Sequence, residues 1–257
     1  MEKFTFRQLI TVLAVVITLA VNGLANAIPL NGQTTGAVSD QFQVYFVPAG
    51  YVFSIWGIIY IGLILFAIYQ ALPSQRTNPR LQRLSSLFPL SCLANIAWLF
   101  LWHYEYFIAT LVAMTTLLLS LIGIYLHLNI GRADVPKAEK WLVHIPMSLY
   151  LGWITVATIA NATSVLDYLN WNGWGIGAET WTIIMLIVAT GISLAVGLTR
   201  GDSIYLLVII WAFAGIGVKH SSTPVIARAA WISTSIVGLL LIGNIIRQRQ
   251  PHLRTKS

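Results

Sequence analysis

Eight stretches of this 257-residue chain contain no Asp, Glu, Lys or Arg, and most are long enough to cross a lipid bilayer. They run 8–39, 41–75, 84–104, 106–131, 141–166, 180–199, 203–218 and 229–246. A spanning helix needs roughly 20 mostly apolar residues, because hydrocarbon holds no water and each backbone group must bond within its own segment. Eight helices are therefore expected, at about 8–28, 50–72, 84–104, 107–129, 142–164, 180–199, 203–219 and 224–246. The seventh is the weakest, with 16 uncharged residues, and a chain without it would put its two ends on opposite sides of the membrane. Composition agrees, since only 9% of residues are charged against about 25% in soluble domains. The fold class is all-α, a polytopic transmembrane helix bundle. An ordinary cytosolic enzyme, a disordered chain and a nucleic-acid-binding domain are ruled out. The single cysteine, Cys92, excludes an internal disulfide and any paired-cysteine metal or redox motif.

Charge gives the orientation. With eight helices, 13 of the 15 basic residues fall on one side, among them Arg7, Arg76, Arg80, Arg83, Arg132, Lys137, Lys140, Arg200, Arg247 and Arg249. The other side has Lys219 and Arg228 against Asp40, Glu105, Asp167 and Glu179. The positive-inside rule then places both termini in the cytoplasm, and the net charge of +7 reports topology, not a nucleic-acid partner. Lys3, Arg7 and Ala25-Asn26-Ala27 resemble a cleavable signal peptide, but the apolar run between them is long, and a retained helix is expected. The glycine-rich polar break at 165–179 divides five helices from three, giving units 1–170 and 171–257.

The segments lack most catalytic equipment. There is no HExxH, no GxSxG and no carboxylate pair at membrane depth. His103, Glu105, His127, His144 and Arg228 fall at helix ends, where interfacial anchoring is expected. Gly57, Gly62, Gly152, Gly191 and Gly197 lie inside helices and read as packing positions. Asn161-Ala-Thr163 is a glycosylation sequon by letter only, being part of a membrane helix.

What the segments do contain is aromatic stripes. Offsets of three, four and seven share a helix face. Phe53, Trp56 and Tyr60 line up in the second helix, Asn95, Trp98 and Trp102 in the third, and Tyr150, Trp153, Ala157 and Asn161 in the fifth. By depth the stripes could converge on one outward-opening cavity, whose aromatic walls and few polar groups suit a flat apolar ligand. Asn95 and Asn161 also suit interhelical hydrogen bonds. Trp141, Trp171, Trp174 and Trp181 sit at helix ends and read as interface belt.

At these stripes the sequence resembles TspO/MBR, the tryptophan-rich sensory proteins related to the mitochondrial translocator protein. The fifth helix, from Tyr150 through Trp153, Ala157 and Thr158 to Asn161, is similar to the family's YLxWxxxATxxN. Leu93-Ala-Asn95-Ile-Ala-Trp98 is similar to LNxxW, and Pro48 through Phe53 and Trp56 to Tyr60 is similar to PPxWVFxxxWxxLY. The resemblance covers roughly 8–170, and helices six to eight have no counterpart in a five-helix family. The first loop departs from the family's WYxxLxKPxWxPP, keeping Phe42, Tyr45 and Pro48 but losing the Lys-Pro pair and the loop tryptophan.

The resemblance implies a five-helix bundle that binds tetrapyrroles, such as protoporphyrin IX or haem, and sterol-like or drug-like ligands. Trp56, Trp98, Trp153, Ala157 and Asn161 would line or support the pocket. The expected function is that of a membrane receptor or carrier for such a ligand, with a sensory or transport role. The alternative is a small-molecule permease or exporter without ion coupling. No enzyme activity and no obligatory cofactor are expected, though a porphyrin or haem could be bound. The expected partners are the lipid bilayer, a hydrophobic tetrapyrrole or sterol-like molecule and, as an option, a second copy in a homodimer. The expected location is a bacterial cytoplasmic membrane.

Overall fold

The computed structural model describes residues 5–249, and these form eight long helices and no strand. They are α1 (Phe6–Ala27), α2 (Ile55–Ala71), α3 (Leu87–His103), α4 (Phe107–His127), α5 (Ile145–Tyr168), α6 (Ala178–Arg200), α7 (Ser203–Lys219) and α8 (Pro224–Arg249). Six, counted with the tight turns leading into α2 and α5, are long and apolar enough to cross a membrane. α3 and α7 have 17 residues each, which is ~26 Å at 1.5 Å per residue and near the lower limit for a span. The weakness expected of the seventh helix is thus shared by the third. α5 runs four residues past its expected end at 164, so the break before α6 narrows to residues 169–177. The terminal charges Lys3, Arg254 and Lys256 lie outside the described residues.

α1 is built inside out relative to a soluble helix. Its buried face carries Gln8, Thr11, Val15, Thr18, Asn22 and Ala25, at alternating steps of three and four. Leu9, Leu13, Val16, Ile17 and Leu24 are exposed on the opposite face. In lipid this is the favourable arrangement, since the apolar face meets hydrocarbon and the polar groups bond to other helices. At the start of α1, Gln8 Nε2 donates to the carbonyls of Gln70 (2.9 Å) and Leu72 (3.1 Å), and Gln70 Nε2 returns a bond to Gln8 O (3.1 Å). This fastens the beginning of α1 to the end of α2.

The first five helices close a ring. α1 packs on α2 and α3, α3 on α4, α4 on α5, and α5 back on α2. The last three form a second unit, with α8 packed on both α6 and α7. That unit meets the ring chiefly through α7, which packs on α5 and on the turn Gly50–Ser54 ahead of α2. Gly152 permits the approach, because a Cβ there would stand 3.0 Å from Val208 Cβ. Gly62 and Gly197 also sit at helix contacts, but Gly57 and Gly191 face open space, so the packing role expected of all five holds for three.

One carboxylate ties the two units together. Asp202 caps α7, its Oδ1 accepting the amides of Ile204 (3.1 Å) and Tyr205 (3.2 Å). Its Oδ2 accepts the hydroxyls of Tyr125 from α4 (2.9 Å) and Ser148 from α5 (2.5 Å). Asp202 is 6% exposed, so this charge is nearly dry but has four donors around it. Both described chain ends lie at this end of the bundle, called here the terminal end, with α1 beginning and α8 finishing there. The opposite end carries the long α1–α2 connection and is called the lid end. Replacing Asp202 with Ala removes a helix cap and strands two buried hydroxyls, a loss of about 2–4 kcal/mol. A clear fall in unfolding temperature in detergent is expected, with Asp202→Asn intermediate; an unchanged temperature for Asp202→Ala would contradict the clamp.

Candidate functional site

The aromatic stripes meet at the lid half of the ring. Phe53 and Trp56 of the α2 segment, Asn95, Trp98 and Trp102 of α3, and Trp153, Ala157 and Asn161 of α5 all border one cavity. Two residues expected there do not line it. Tyr60 stacks on Trp56 (5.5 Å, 26°), and Tyr150 meets the edge of Trp56 (6.0 Å, 66°), so both stand behind the wall. Wall residues that the stripes did not reveal are Met114 and Leu117 of α4, Ile154, Val156, Ala160 and Ser164 of α5, and Thr35, Ser39, Val47 and Pro48 of the α1–α2 connection. Two of the α5 residues, Ala160 and Ser164, could have been found, because Ala157, Ala160, Asn161 and Ser164 repeat at three- and four-residue steps.

The aromatic rings brace one another. Trp153 meets Phe53 (5.6 Å, 84°) and Trp56 (6.2 Å, 81°) edge to face, and Trp98 stacks on Trp102 (5.5 Å, 19°). Each such pair contributes about 0.5–1.5 kcal/mol beyond burial, so the walls hold their shape by ring packing.

Polar groups around the cavity are nearly all engaged. The Tyr60 hydroxyl donates to Asn22 Oδ1 (3.0 Å), Asn22 Nδ2 to Asn95 Oδ1 (2.8 Å), and Asn95 Nδ2 to the Tyr150 hydroxyl (3.1 Å). This chain joins α2, α1, α3 and α5. Nearer the lid, Trp98 Nε1 donates to Asn161 Oδ1 (2.7 Å) and Asn161 Nδ2 to Thr110 Oγ1 (3.0 Å). Both asparagines thus make interhelical bonds while also bordering the cavity. Asn22 escaped the sequence reading, although the polar spacing of α1 carried the signal. Trp153 Nε1 differs, being buried with no hydrogen-bond partner.

The α1–α2 connection covers this cavity. Its Val38, Phe46 and Val47 are buried, and its Phe42 packs on Trp102 and Phe107. α3 holds its first half: Trp102 Nε1 donates to Thr35 O (3.2 Å), Asn31 Nδ2 donates to His103 O (3.0 Å), and His103 Nε2 lies 3.3 Å from Thr35 Oγ1. His103 is 0% exposed, so it is a buried support of the lid and not the interfacial anchor expected. α7 holds the second half. The Ala49 amide donates to Gly215 O (3.1 Å), Trp211 Nε1 donates to Val52 O (3.1 Å), and Lys219 pairs with Asp40 at 3.7 Å. Gly215 is required there, because a side chain would collide with Val52 and press on Pro48.

The cavity is partly open and has a volume of about 60 Å³. That is room for a few waters at ~10–15 Å³ each, and far less than a macrocycle needs. No charged side chain lines it. His103 is occupied, Lys219 is paired and Arg228 bonds back to Pro224 O (3.1 Å). No group of three metal-ligating side chains occurs among the described residues.

A ring of five membrane helices around a lidded aromatic cavity defines a class of multi-pass helical membrane protein. A family model described as TSPO-like protein matches residues 8–243, and the chain belongs to this family. The match runs through α6–α8, well past the 8–170 over which the motifs carry the likeness, so the last three helices are part of the family pattern. No curated protein and no solved structure matches the chain.

His220 sits at the α7 end of the lid, its ring edge to face with Tyr45 (5.3 Å, 68°). Burial and the neighbouring Lys219 lower its pKa below the ordinary value, with the backbone of Tyr45 and Val47 opposing in part. A lowered histidine favours the closed state above its ordinary pKa of 6.5 and withdraws that favour as pH falls through the lowered value. Hydrogen exchange across residues 28–49, corrected for intrinsic rates, is therefore expected to accelerate as the pH falls below His220's ordinary pKa of 6.5. His220→Gln should flatten the profile; a profile identical to that of the parent protein would remove His220 from lid control.

Proposed function

We propose that the protein is a membrane receptor or carrier that takes a flat, apolar small molecule into the aromatic cavity, with a tetrapyrrole as the leading ligand class. The observation that carries this reading is a cavity walled by Trp56, Trp98, Trp102 and Trp153 and closed by a folded lid. Indole faces suit a large conjugated ring, and Trp153 Nε1 would supply a free donor to a ligand acceptor. Ala157 keeps the α5 wall thin where the ring would lie.

Two properties of the site shape the proposal. The small volume requires the walls or the lid to move before a macrocycle enters. The walls offer no cation, so porphyrin propionates would have to reach the mouth, where Lys219 already serves Asp40. A neutral or esterified ring would meet fewer obstacles than a dicarboxylate. α6–α8 add no residue to the cavity wall, which supports a receptor or carrier over a permease built from two halves.

The test is quenching of tryptophan fluorescence by protoporphyrin IX and by its dimethyl ester in detergent-purified protein. Saturable quenching is expected, tighter for the ester, and weakened about tenfold or more by Ala157→Thr, which fills the wall. Quenching no greater than in protein-free micelles would sink the reading.

The basic terminal end is proposed to face the cytoplasm of a bacterial cell. Cys92 is buried, so labelling of single introduced cysteines is readable. An impermeant maleimide should label Ser221→Cys in intact cells and Ser74→Cys only after lysis; the reverse pattern would invert the orientation.

A further inference from the structure

A second cavity lies at the lid end, outside the ring. It is bounded by the lid segment 43–46, the end of α5, the α5–α6 loop and the start of α6, and its volume is about 350 Å³, against about 60 Å³ for the aromatic cavity. Trp171, Trp181 and Tyr45 border it together with Asp167. Trp171 and Trp181 stand 5.2 Å apart at 50°, and Trp174 packs against the edges of both. Trp181 is fixed by a bond from Nε1 to Gly173 O (2.9 Å). A Cβ on Gly173, which holds φ +63, would press on that indole. These tryptophans, which read in sequence as interface belt, form one ordered cluster beside a void.

The charge at this void has one sign. Asp167 is exposed, and one of its oxygens, Oδ2, accepts the Gln43 amide at 3.3 Å. No Lys, Arg or His side chain pairs with it among the described residues. Glu179 follows directly after Ala178, which lines the cavity. The two basic residues of the lid end are engaged elsewhere, Lys219 with Asp40 and Arg228 with Pro224 O.

Indole and phenol faces beside an uncompensated carboxylate attract a large, weakly hydrated cation through the ring quadrupole and through charge. An anion would meet Asp167 with nothing to offset it, and a small hard cation would lose its water to rings that cannot coordinate it. We propose that this cavity binds a substituted ammonium group, in which the tryptophan pair holds the alkyl shell and Asp167 supplies the counter-charge. The group could arrive on a zwitterionic lipid or as a free amine, because the cavity opens at the end of the bundle where lipid headgroups lie.

Choline is titrated into the full-length protein in a detergent without ammonium groups, with 3,3-dimethyl-1-butanol as the neutral isostere, and heat of binding is recorded. Saturable choline binding is expected, with no binding of the isostere at tenfold higher concentration. Asp167→Asn keeps an oxygen acceptor for the Gln43 amide and should weaken choline about tenfold without lowering the unfolding temperature. In parallel, native mass spectrometry follows protein released from bilayers of mixed phosphatidylcholine and phosphatidylglycerol. Retention of phosphatidylcholine that is lost in Asp167→Asn identifies a lipid headgroup as the source. Choline binding without that preference identifies a free amine. Equal binding of the isostere, or the absence of both signals, overturns the proposal, as does insensitivity of both to Asp167→Asn.

Discussion

The fold rests on the absence of water around its middle. In hydrocarbon, apolar side chains gain little by turning inward, whereas an unpaired polar group is expensive. α1 shows the result directly, with Gln8, Thr18 and Asn22 buried and a row of leucines, valines and isoleucines outside. The interhelical bonds that follow average only about 0.6 kcal/mol each in membranes, while an orphaned partner costs about 1–3 kcal/mol. The Tyr60–Asn22–Asn95–Tyr150 chain therefore fixes which helices are neighbours and in what register more than it adds stability.

The cavity is shared property of the two helical units even though only one of them walls it. Its lid is bonded at its start to α3 and at its finish to α7. The family match across residues 8–243 fits this interdependence, since removing α6–α8 would take away Gly215, Trp211 and Lys219 and leave the lid's second half unsupported.

Much of this was legible in the chain. Uncharged stretches and the sidedness of basic residues gave eight helices, and three- and four-residue spacing brought Phe53, Trp56, Trp98, Trp102, Trp153, Ala157 and Asn161 to one place. Periodicity assigns a residue to a face but not to a depth behind it, which is why Tyr60 and Tyr150 were expected in the wall and stand in the row behind. The lid was opaque because its partners come from distant segments: His103 lies 68 residues from Thr35, and Gly215 meets Ala49 across two units. The Trp171–Trp181 cluster was hidden for a related reason, since interfacial preference and a built cavity call for the same residues.

The Asp202 clamp has a mechanical consequence. Around it the terminal end is cross-braced: the Gln8–Gln70 pair, Arg132 to Thr199 O, Arg200 to Asn129 and Gln248 to Gly201 O join all three turns and both ends of the described chain. Only Gly201 and Asp202 separate α6 from α7, so those helices cannot part there. The opposite end has four connections among the described residues, of which α1–α2, residues 28–54, is the longest. The long α1–α2 connection is therefore the joint with most freedom at the lid end, while the base keeps its shape.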